Sequence, residues 1–271
     1  MAEIGDRYLN PLLGSILENK LSEVKLSESI LPMRELKAMS KDIPARRPFA
    51  RSIMASSARH RIIAEVKRIS PGTGFCRKDF DPAAIASGYA SAGASAISVL
   101  TDTRFFGGSL HILATVRKEV SVPVLRKDFI IHPYQVYEAA VYGADAVLVM
   151  AVNFKSRSEI EDICGIASDV GIEILFEIHG EEELALLPKI PVSVGINNRD
   201  FRSPGLTVDI GVTRKVAPLV KKGGLLVSES GIRDMNVVKE LEGAGIDAFL
   251  IGSAFMEQAD PGKALGDFLA G

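Results

Sequence analysis

Residues 141–150 read VYGADAVLVM. A helix-like end runs into Gly143, then a small residue, the polar Asp145, Ala146 and an apolar run. The plan recurs as SAGASAISVL at 91–100 and EGAGIDAFLI at 242–251. Glycine is the expected stop for a helix, because it accepts a positive φ without steric cost. The run that follows is apolar on both faces, as a parallel strand covered by helices must be. Gly93 and Gly143 stand 50 residues apart, or two units of 25. Strands alternating with helical patterns imply βαβ units.

Outward from these repeats, eight strand-like runs appear, at 61–67, 96–100, 123–127, 146–150, 173–178, 192–197, 225–229 and 248–252. Helical patterns follow them at 81–92, 109–120, 133–142, 156–170, 181–187, 208–220, 233–243 and 261–269. Eight such pairs in roughly 200 residues indicate an α/β fold closed into a (β/α)8 TIM barrel. The rival is an open doubly wound sheet, but none of the eight runs looks like a polar or Pro-broken edge strand. Residues 1–60 read as an N-terminal helical extension packed on the barrel near its rim. LNPLLGSILENKLSEVKLS has helical periodicity, MRELKAMSKDI suggests a second helix, and IPARRPFARSIM adds two prolines and basic residues. Residues 61–271 form the barrel, the catalytic domain.

The chain has 271 residues, 47% of them hydrophobic, a net charge of -2 and no Trp. With a pI of about 6.1 it lacks the basic footprint of a nucleic-acid binder. Its N-terminus, MAEIGDRYLN, has no basic region followed by an apolar run, so it does not read as a signal peptide. No apolar stretch approaches the ~20 residues that span a bilayer. Cys76 and Cys164 have no metal-ligand spacing and read as reduced thiols of a cytoplasmic protein. The histidines likewise show no ligand pattern, so no metal is expected. His60, His111, His132 and His179 read as loop, surface or supporting residues.

In barrels of this type chemistry sits where the strands end. The stretch PVLRKDF (123–129) is instructive there. Strand side chains alternate, so Leu125, Lys127 and Phe129 share one face while Arg126 and Asp128 share the other. If Leu125 enters the core, Lys127 points into the barrel mouth, and Arg126 and Asp128 point outward to brace the strand and the loop after it. The first run offers Glu65 and Lys67, then Ser70. The fifth offers Glu177, the sixth Asn197 with Arg199 beyond, and the seventh Glu229 and Ser230 before Gly231. The eighth ends in Gly252 and Ser253. Singly, a charge at a strand end is more often rim solvation than chemistry. Together they favour a site for a polar ligand, because burying so many charges for stability alone is poor economy of desolvation. SESGI (228–232) and LIGSAF (250–255) place small residues after the seventh and eighth strands, where such barrels often bind phosphate.

The stretches IIAEVKRISPGTG, ISVLTDTRFFGGSL, VPVLRKDFIIHPYQVYEA, GINNRD and VSESGI resemble the indole-3-glycerol phosphate synthase family of tryptophan biosynthesis. The likeness covers nearly the whole chain. It implies a carbon–carbon lyase, a carboxy-lyase that converts 1-(2-carboxyphenylamino)-1-deoxyribulose 5-phosphate to indole-3-glycerol phosphate, carbon dioxide and water without a cofactor. By resemblance Lys127 is the general acid at the substrate carbonyl, and Glu177 is an acid/base group in the later loss of water. Glu65 shares the proton chemistry or stabilises charge, and Lys67 pairs with the substrate carboxylate. Asn197 and Arg199 orient the substrate and the glutamates. Glu229 and Ser230 line the pocket. Gly231, Gly252 and Ser253 hold the phosphate, with Ser70 and Lys67 nearby. Phe106 and Phe129 wall the aromatic ring. A lysine desolvated among other cations has a lowered pKa, which would suit an acid working near neutrality.

Departures from the family pattern are Gly72, where a second serine is expected, Pro204 and Gly205 in the loop after the sixth strand, and His132 in place of Asp. All fall on loops. The rivals are an isomerase, which would want a Cys/Asp pair, a Schiff-base aldolase using Lys67 or Lys127, and a non-catalytic phosphate-binding barrel. The expected partner is a small phosphorylated substrate, with no nucleic acid and no membrane, for a monomer or weak homodimer.

Overall fold

The computed structural model describes residues 10–271 apart from positions 42, 44, 73 and 222, so the reading of the first nine residues falls outside the described residues. Three N-terminal helices come first: α1 (Pro11–Ile30), α2 (Met33–Met39) and α3 (Phe49–Met54). The barrel strands are β1 (Ile62–Val66), β2 (Ala96–Leu100), β3 (Val124–Lys127), β4 (Ala146–Met150), β5 (Glu173–Ile178), β6 (Ser193–Asn197), β7 (Leu226–Glu229) and β8 (Ala248–Ile251). All run parallel, each beside the next, and β8 returns to β1 through Ile62–Phe249 and Ala64–Ile251. Closure leaves no edge to protect and excludes the open doubly wound sheet.

The repeat that marks the strands has a physical cause. Gly93, Gly143 and Gly245 adopt positive φ of 101°, 87° and 93° as the chain leaves each helix. In the second and third repeats the aspartate two positions later ties the incoming strand to its neighbour. Asp145 accepts from Val124 N–H at 2.9 Å and Asp247 from Leu226 N–H at 2.8 Å. Helices α4 (Pro82–Ser91), α5 (Leu110–Glu119), α6 (Pro133–Val141), α7 (Arg157–Asp169), α8 (Gly211–Val216), α9 (Met235–Gly243), α10 (Ser253–Met256) and α11 (Pro261–Ala270) cover the barrel.

Two connections differ from the pattern. The expected helix at 181–187 is a 3₁₀ run, Glu181–Leu186. It stops before Pro188, which disfavours helix in the residue ahead of it. The expected helix at 208–220 begins at Gly211, because Val208 instead bridges to Arg199 and Asp209 N–H bonds to the Asn198 carbonyl.

Alternation along the strands builds two cores. Outward residues such as Val99, Val124, Val147, Phe176 and Ile196 pack under the helices. Inward residues Ile63, Ala96, Leu125, Leu148, Leu175, Val227 and Leu250 fill the barrel. The N-terminal helices close both ends rather than lying at one rim. Phe49 and Ile53 of α3 join the interior cluster from the N-terminal end, where Ala50 N–H bonds to Glu173 at 3.0 Å. Arg46 and Arg47 donate there to Ala140, Ala144, Val170, Val122 and Arg117 carbonyls, several of them at helix C-termini that need such donors. Helix α1 lies at the opposite end, with Leu13, Ile16 and Leu17 packed with Phe106 and Phe129. No helix among the described residues is long and apolar enough to cross a membrane.

Arg126 and Asp128 leave the barrel interior, as their alternation requires, and are buried between barrel and helices. Arg126 donates to Gln135 O at 2.7 Å, to Asp128 at 3.0 Å and to Glu138 at 3.1 Å, holding α6 against β3. Removing one partner of such a buried pair leaves an uncompensated charge. Arg126→Met is therefore expected to cost about 3–5 kcal/mol in a urea unfolding series. A loss below about 1 kcal/mol would show that the helix layer does not depend on this pair.

Candidate active site

The four strands β1, β3, β5 and β7 each send one polar side chain inward near their C-terminal ends: Glu65, Lys127, Glu177 and Glu229. In barrels of this architecture alternate strands contribute to the same interior layer. Here the apolar layer of Ile63, Leu125, Leu175 and Val227 lies two residues below, so the next layer from the same strands is charged. Gly195 on β6 makes room, since a Cβ there would overlap Glu229 Oε1.

The layer is tightly paired. Lys127 Nζ stands 2.7 Å from Glu229 Oε2 and 3.1 Å from Glu177 Oε2. All three are at least largely buried, the two glutamates at 1% exposure. Lys127 is not surrounded by cations. Burial alone lowers its pKa, but the facing Glu177, Glu229 and Glu65 outweigh burial and raise it well above the usual lysine range. The ammonium therefore stays protonated, contrary to the lowering expected for a lysine among cations.

The two carboxyl groups are driven apart. Burial pushes Glu177 up, yet Lys127, His179 and a hydrogen bond from Asn197 hold it below the ordinary carboxylate range. Burial raises Glu229, Lys127 opposes it, and the neighbouring Glu177 charge pushes it up again, to about 8. Two carboxyl groups forced this close cannot both ionise easily. The cluster thus favours an ammonium on Lys127, the charged form of Glu177 and the protonated form of Glu229, whose hydroxyl would donate toward Glu177.

A cavity of about 430 Å³ opens from this layer, and every site residue named from the sequence lines it. At one side Lys67 Nζ lies 2.7 Å from Glu65 and donates to Ser253 Oγ at 3.3 Å, which joins β1 to the start of α10. Ser230 and Gly231 sit beside them with φ of 65° and 77°. Ser230 is held in that uncommon conformation by Asn198, whose Nδ2 donates to Glu229 O at 2.9 Å and Ser230 O at 3.1 Å. Asn197, one residue earlier, accepts from Arg199 N–H at 2.9 Å. Ser70 and Gly72 border the same side from the loop after β1.

At the other side the walls are aromatic. Phe106 and Phe129 have ring centroids 5.9 Å apart, and Phe201 meets Phe129 edge-on at 6.1 Å. Leu12 of α1 adds to the apolar lining, while Leu206 and Val208 stand over Gly72 and Gly231 on the serine- and glycine-rich side. Phe201, Leu12 and Asn198 are not among the residues read from the sequence. Asn198 is signalled only by the paired asparagines in GINNRD, and Phe201 stands in a loop with no pattern to mark its facing.

His179 lies behind Glu177. Its Nε2 is 3.1 Å from Glu177 Oε1 and its Nδ1 3.2 Å from Glu183 Oε2. Burial lowers its pKa, but bonds to Glu177 and Glu183 outweigh burial and raise it to about 9 from 6.5. A folded pKa above the unfolded one means the imidazolium's stabilisation is complete below pH 6.5 and is lost as pH rises through about 9. His179→Gln is expected to lower the Tm most near pH 6 and to converge on wild type above about pH 9. A Tm difference that is equal at both ends would remove the charge from this account.

The sequence matches the family described as indole-3-glycerol phosphate synthase over residues 13–268. An indole-3-glycerol phosphate synthase of Bacteroides thetaiotaomicron is 40% identical over 261 residues, spanning 96% of this chain and 98% of the relative. One of Chromobacterium violaceum is 38% identical over 260 residues, spanning 95% and 97%. Among solved structures, 3-hexulose-6-phosphate synthase of Salmonella typhimurium superposes with a TM-score of 0.58 at 14% identity, covering 78% of this chain and 98% of its own. Thiamine phosphate pyrophosphorylase of Pyrococcus furiosus gives 0.53 at 18% identity, covering 78% and 94%. At that identity the two structures speak for the barrel alone. The match over residues 13–268, with relatives 40% and 38% identical over nearly their full length, shows that the chain belongs to the indole-3-glycerol phosphate synthase family.

Proposed function

We propose that this cavity closes the indole ring of 1-(2-carboxyphenylamino)-1-deoxyribulose 5-phosphate, releasing carbon dioxide and water. The observation that carries the reading is the Glu177–Lys127–Glu229 cluster at the floor of a mouth with one aromatic side and one cationic, serine- and glycine-rich side. Lys127 delivers the proton to the carbonyl oxygen as the ring carbon attacks. The carboxylate departs as carbon dioxide, and the hydroxyl left by the former carbonyl leaves as water. Glu177 is the base of that last step. Glu229, the neutral partner, is a second proton source, a larger part than the pocket lining the sequence suggests.

Gly231, Gly252 and Ser253 take the phosphate end, Ser230 lines the pocket, and Lys67, beside Ser253, pairs with the substrate carboxylate. Ser70 and Arg199 border the phosphate end, Glu65 orients Lys67 and contributes charge, and Asn197 orients Glu177. Phe106 and Phe129 take the aromatic ring. A protonated Lys127 is poorly suited to the Schiff-base alternative, which needs a neutral amine. Cys76 is exposed and Cys164 is buried in α7, away from the place a Cys/Asp isomerase pair would need. The protein acts on a small phosphorylated molecule in the cytoplasm, as a monomer or weak homodimer.

The test is direct. Purified protein and the carboxyphenylamino substrate are followed by indole fluorescence and by released carbon dioxide, with chelator present. One carbon dioxide per indole product is expected. Absence of turnover, or lysine trapping by borohydride with a keto-sugar phosphate, would overturn the reading.

A further inference from the structure

Lys20 of α1 carries a charge in the interior, at 3% exposure, far along the chain from every strand end discussed above. Its ammonium stands 2.9 Å from Asp128 Oδ1, 3.1 Å from Asp102 Oδ2 and 2.6 Å from Glu23 Oε2. A bare strut for α1 would need only some acidic partner on the barrel. The two aspartates found here have a more specific occupation. Asp102 Oδ1 accepts from Phe105 N–H at 2.8 Å and Phe106 N–H at 3.3 Å. Asp128 Oδ1 accepts from Phe129 N–H at 2.8 Å. Each aspartate thus folds the turn that aims one phenylalanine into the cavity, and Lys20 clamps the two turns together.

The same helix reaches the third ring. Asn10, at its N-cap, donates to Phe201 O at 3.0 Å. Leu13, Ile16 and Leu17 pack in one cluster with Phe106 and Phe129, and Leu12 lines the cavity beside them. Positions 13, 16, 17, 20 and 24 share one helical face. Among the described residues no hydrogen bond or ion pair of this kind ties α1 to the phosphate side, whose fastenings run through Lys67, Ser253 and Asn198.

We propose that Lys20 is a positioning residue for the aromatic half of the substrate: by bridging Asp102 and Asp128 it sets the spacing of Phe106 and Phe129. The inference rests on the reading of those rings as the walls of the aromatic subsite. It gives the N-terminal extension a part in substrate recognition, with no contact between Lys20 and substrate.

The experiment compares Lys20→Met, Lys20→Arg, Asp102→Asn, Phe106→Ala and wild type, all as full chains. The readouts are KM and kcat for the carboxyphenylamino substrate, inhibition by 2-aminobenzoate as an aromatic probe, inhibition by inorganic phosphate, and Tm. Losing a charge-assisted tie is expected to raise KM and the 2-aminobenzoate inhibition constant about tenfold or more in Lys20→Met. The phosphate constant and kcat should stay within about threefold, a split that separates positioning from uniform damage. Lys20→Arg should recover most of the loss.

Asp102→Asn keeps an acceptor for the Phe106 amide but weakens the clamp, and should show the same selective rise if Lys20→Met does not fold. A lowered Tm with unchanged KM, or equal loss toward both probes, would make Lys20 merely structural and overturn the inference. If Phe106→Ala leaves KM and 2-aminobenzoate binding unchanged, the aromatic-wall reading itself has failed and the inference falls with it. A rise in Phe106→Ala without one in Lys20→Met would reject Lys20 alone.

Discussion

Lys127→Ala is expected to lower kcat by about 10²–10⁴-fold, the usual worth of one positioned proton donor. Three features of the site combine in this residue. Its ammonium is the cation between Glu177 and Glu229, its protonation is favoured by the surrounding acidic groups, Glu177 first, and it sits at the cavity floor where a carbonyl oxygen would arrive. Only an interaction stronger in the transition state raises kcat, and proton delivery to a developing alkoxide is such an interaction. KM should move far less than kcat, because phosphate and ring are held elsewhere.

The substitution also strips two buried carboxyl groups of their counter-charge. Glu177 should take up a proton more readily, so any residual activity should fade at lower pH first. Folding is checked by circular dichroism and by binding of a product analogue. Lys127→Arg should not rescue, since the larger planar guanidinium cannot place its donor where the compact ammonium stands between the two carboxyl groups. A Lys127→Ala enzyme within about threefold of wild type would leave ring closure to another acid, with Glu229 the next to test.

Glu177→Gln should cost about 10²–10⁴-fold in overall turnover, again the scale of one acid/base group. Here the step affected matters more than the size. If Glu177 serves the loss of water, ring closure and decarboxylation still proceed in the variant. A single turnover followed by both signals should then show carbon dioxide released well before indole fluorescence grows. Carbon dioxide and indole delayed together would place Glu177 in an earlier step. Glutamine keeps the volume and one carbonyl acceptor, so the neighbouring Asn197 retains a partner. The lost negative charge should lower the Glu229 pKa, because the Glu177 charge is one of its causes. The alkaline limb of the pH profile should accordingly move to lower pH.

Much of this protein was legible along the chain. The strands announced themselves because each must be apolar on both faces and must follow a chain reversal, which the helix-ending glycines supply. The facing of Lys127 followed from alternation alone. Other features resisted. Helix α3 is six residues long and becomes a plug only because Arg46 and Arg47 find carbonyls up to 124 positions away. The 3₁₀ run after β5 looks helical until Pro188 and the inward Glu183 are placed. Phe201 and Asn198 lie in a loop whose shape is set by its return pairing on Arg199 and Asn198.

Strand count, strand faces and the charged groups at the barrel mouth were legible in the sequence, because periodicity and glycine placement are local properties of the backbone. Tertiary structure alone decided their charge states and their partners. Lys127 meets carboxylates 50 and 102 positions away, brought into one layer by barrel closure, and their fields reverse the pKa shift that burial imposes on it. Lys20 meets its aspartates for the same reason. Electrostatic energy depends on separation in space and on burial, and neither can be read from spacing along the chain.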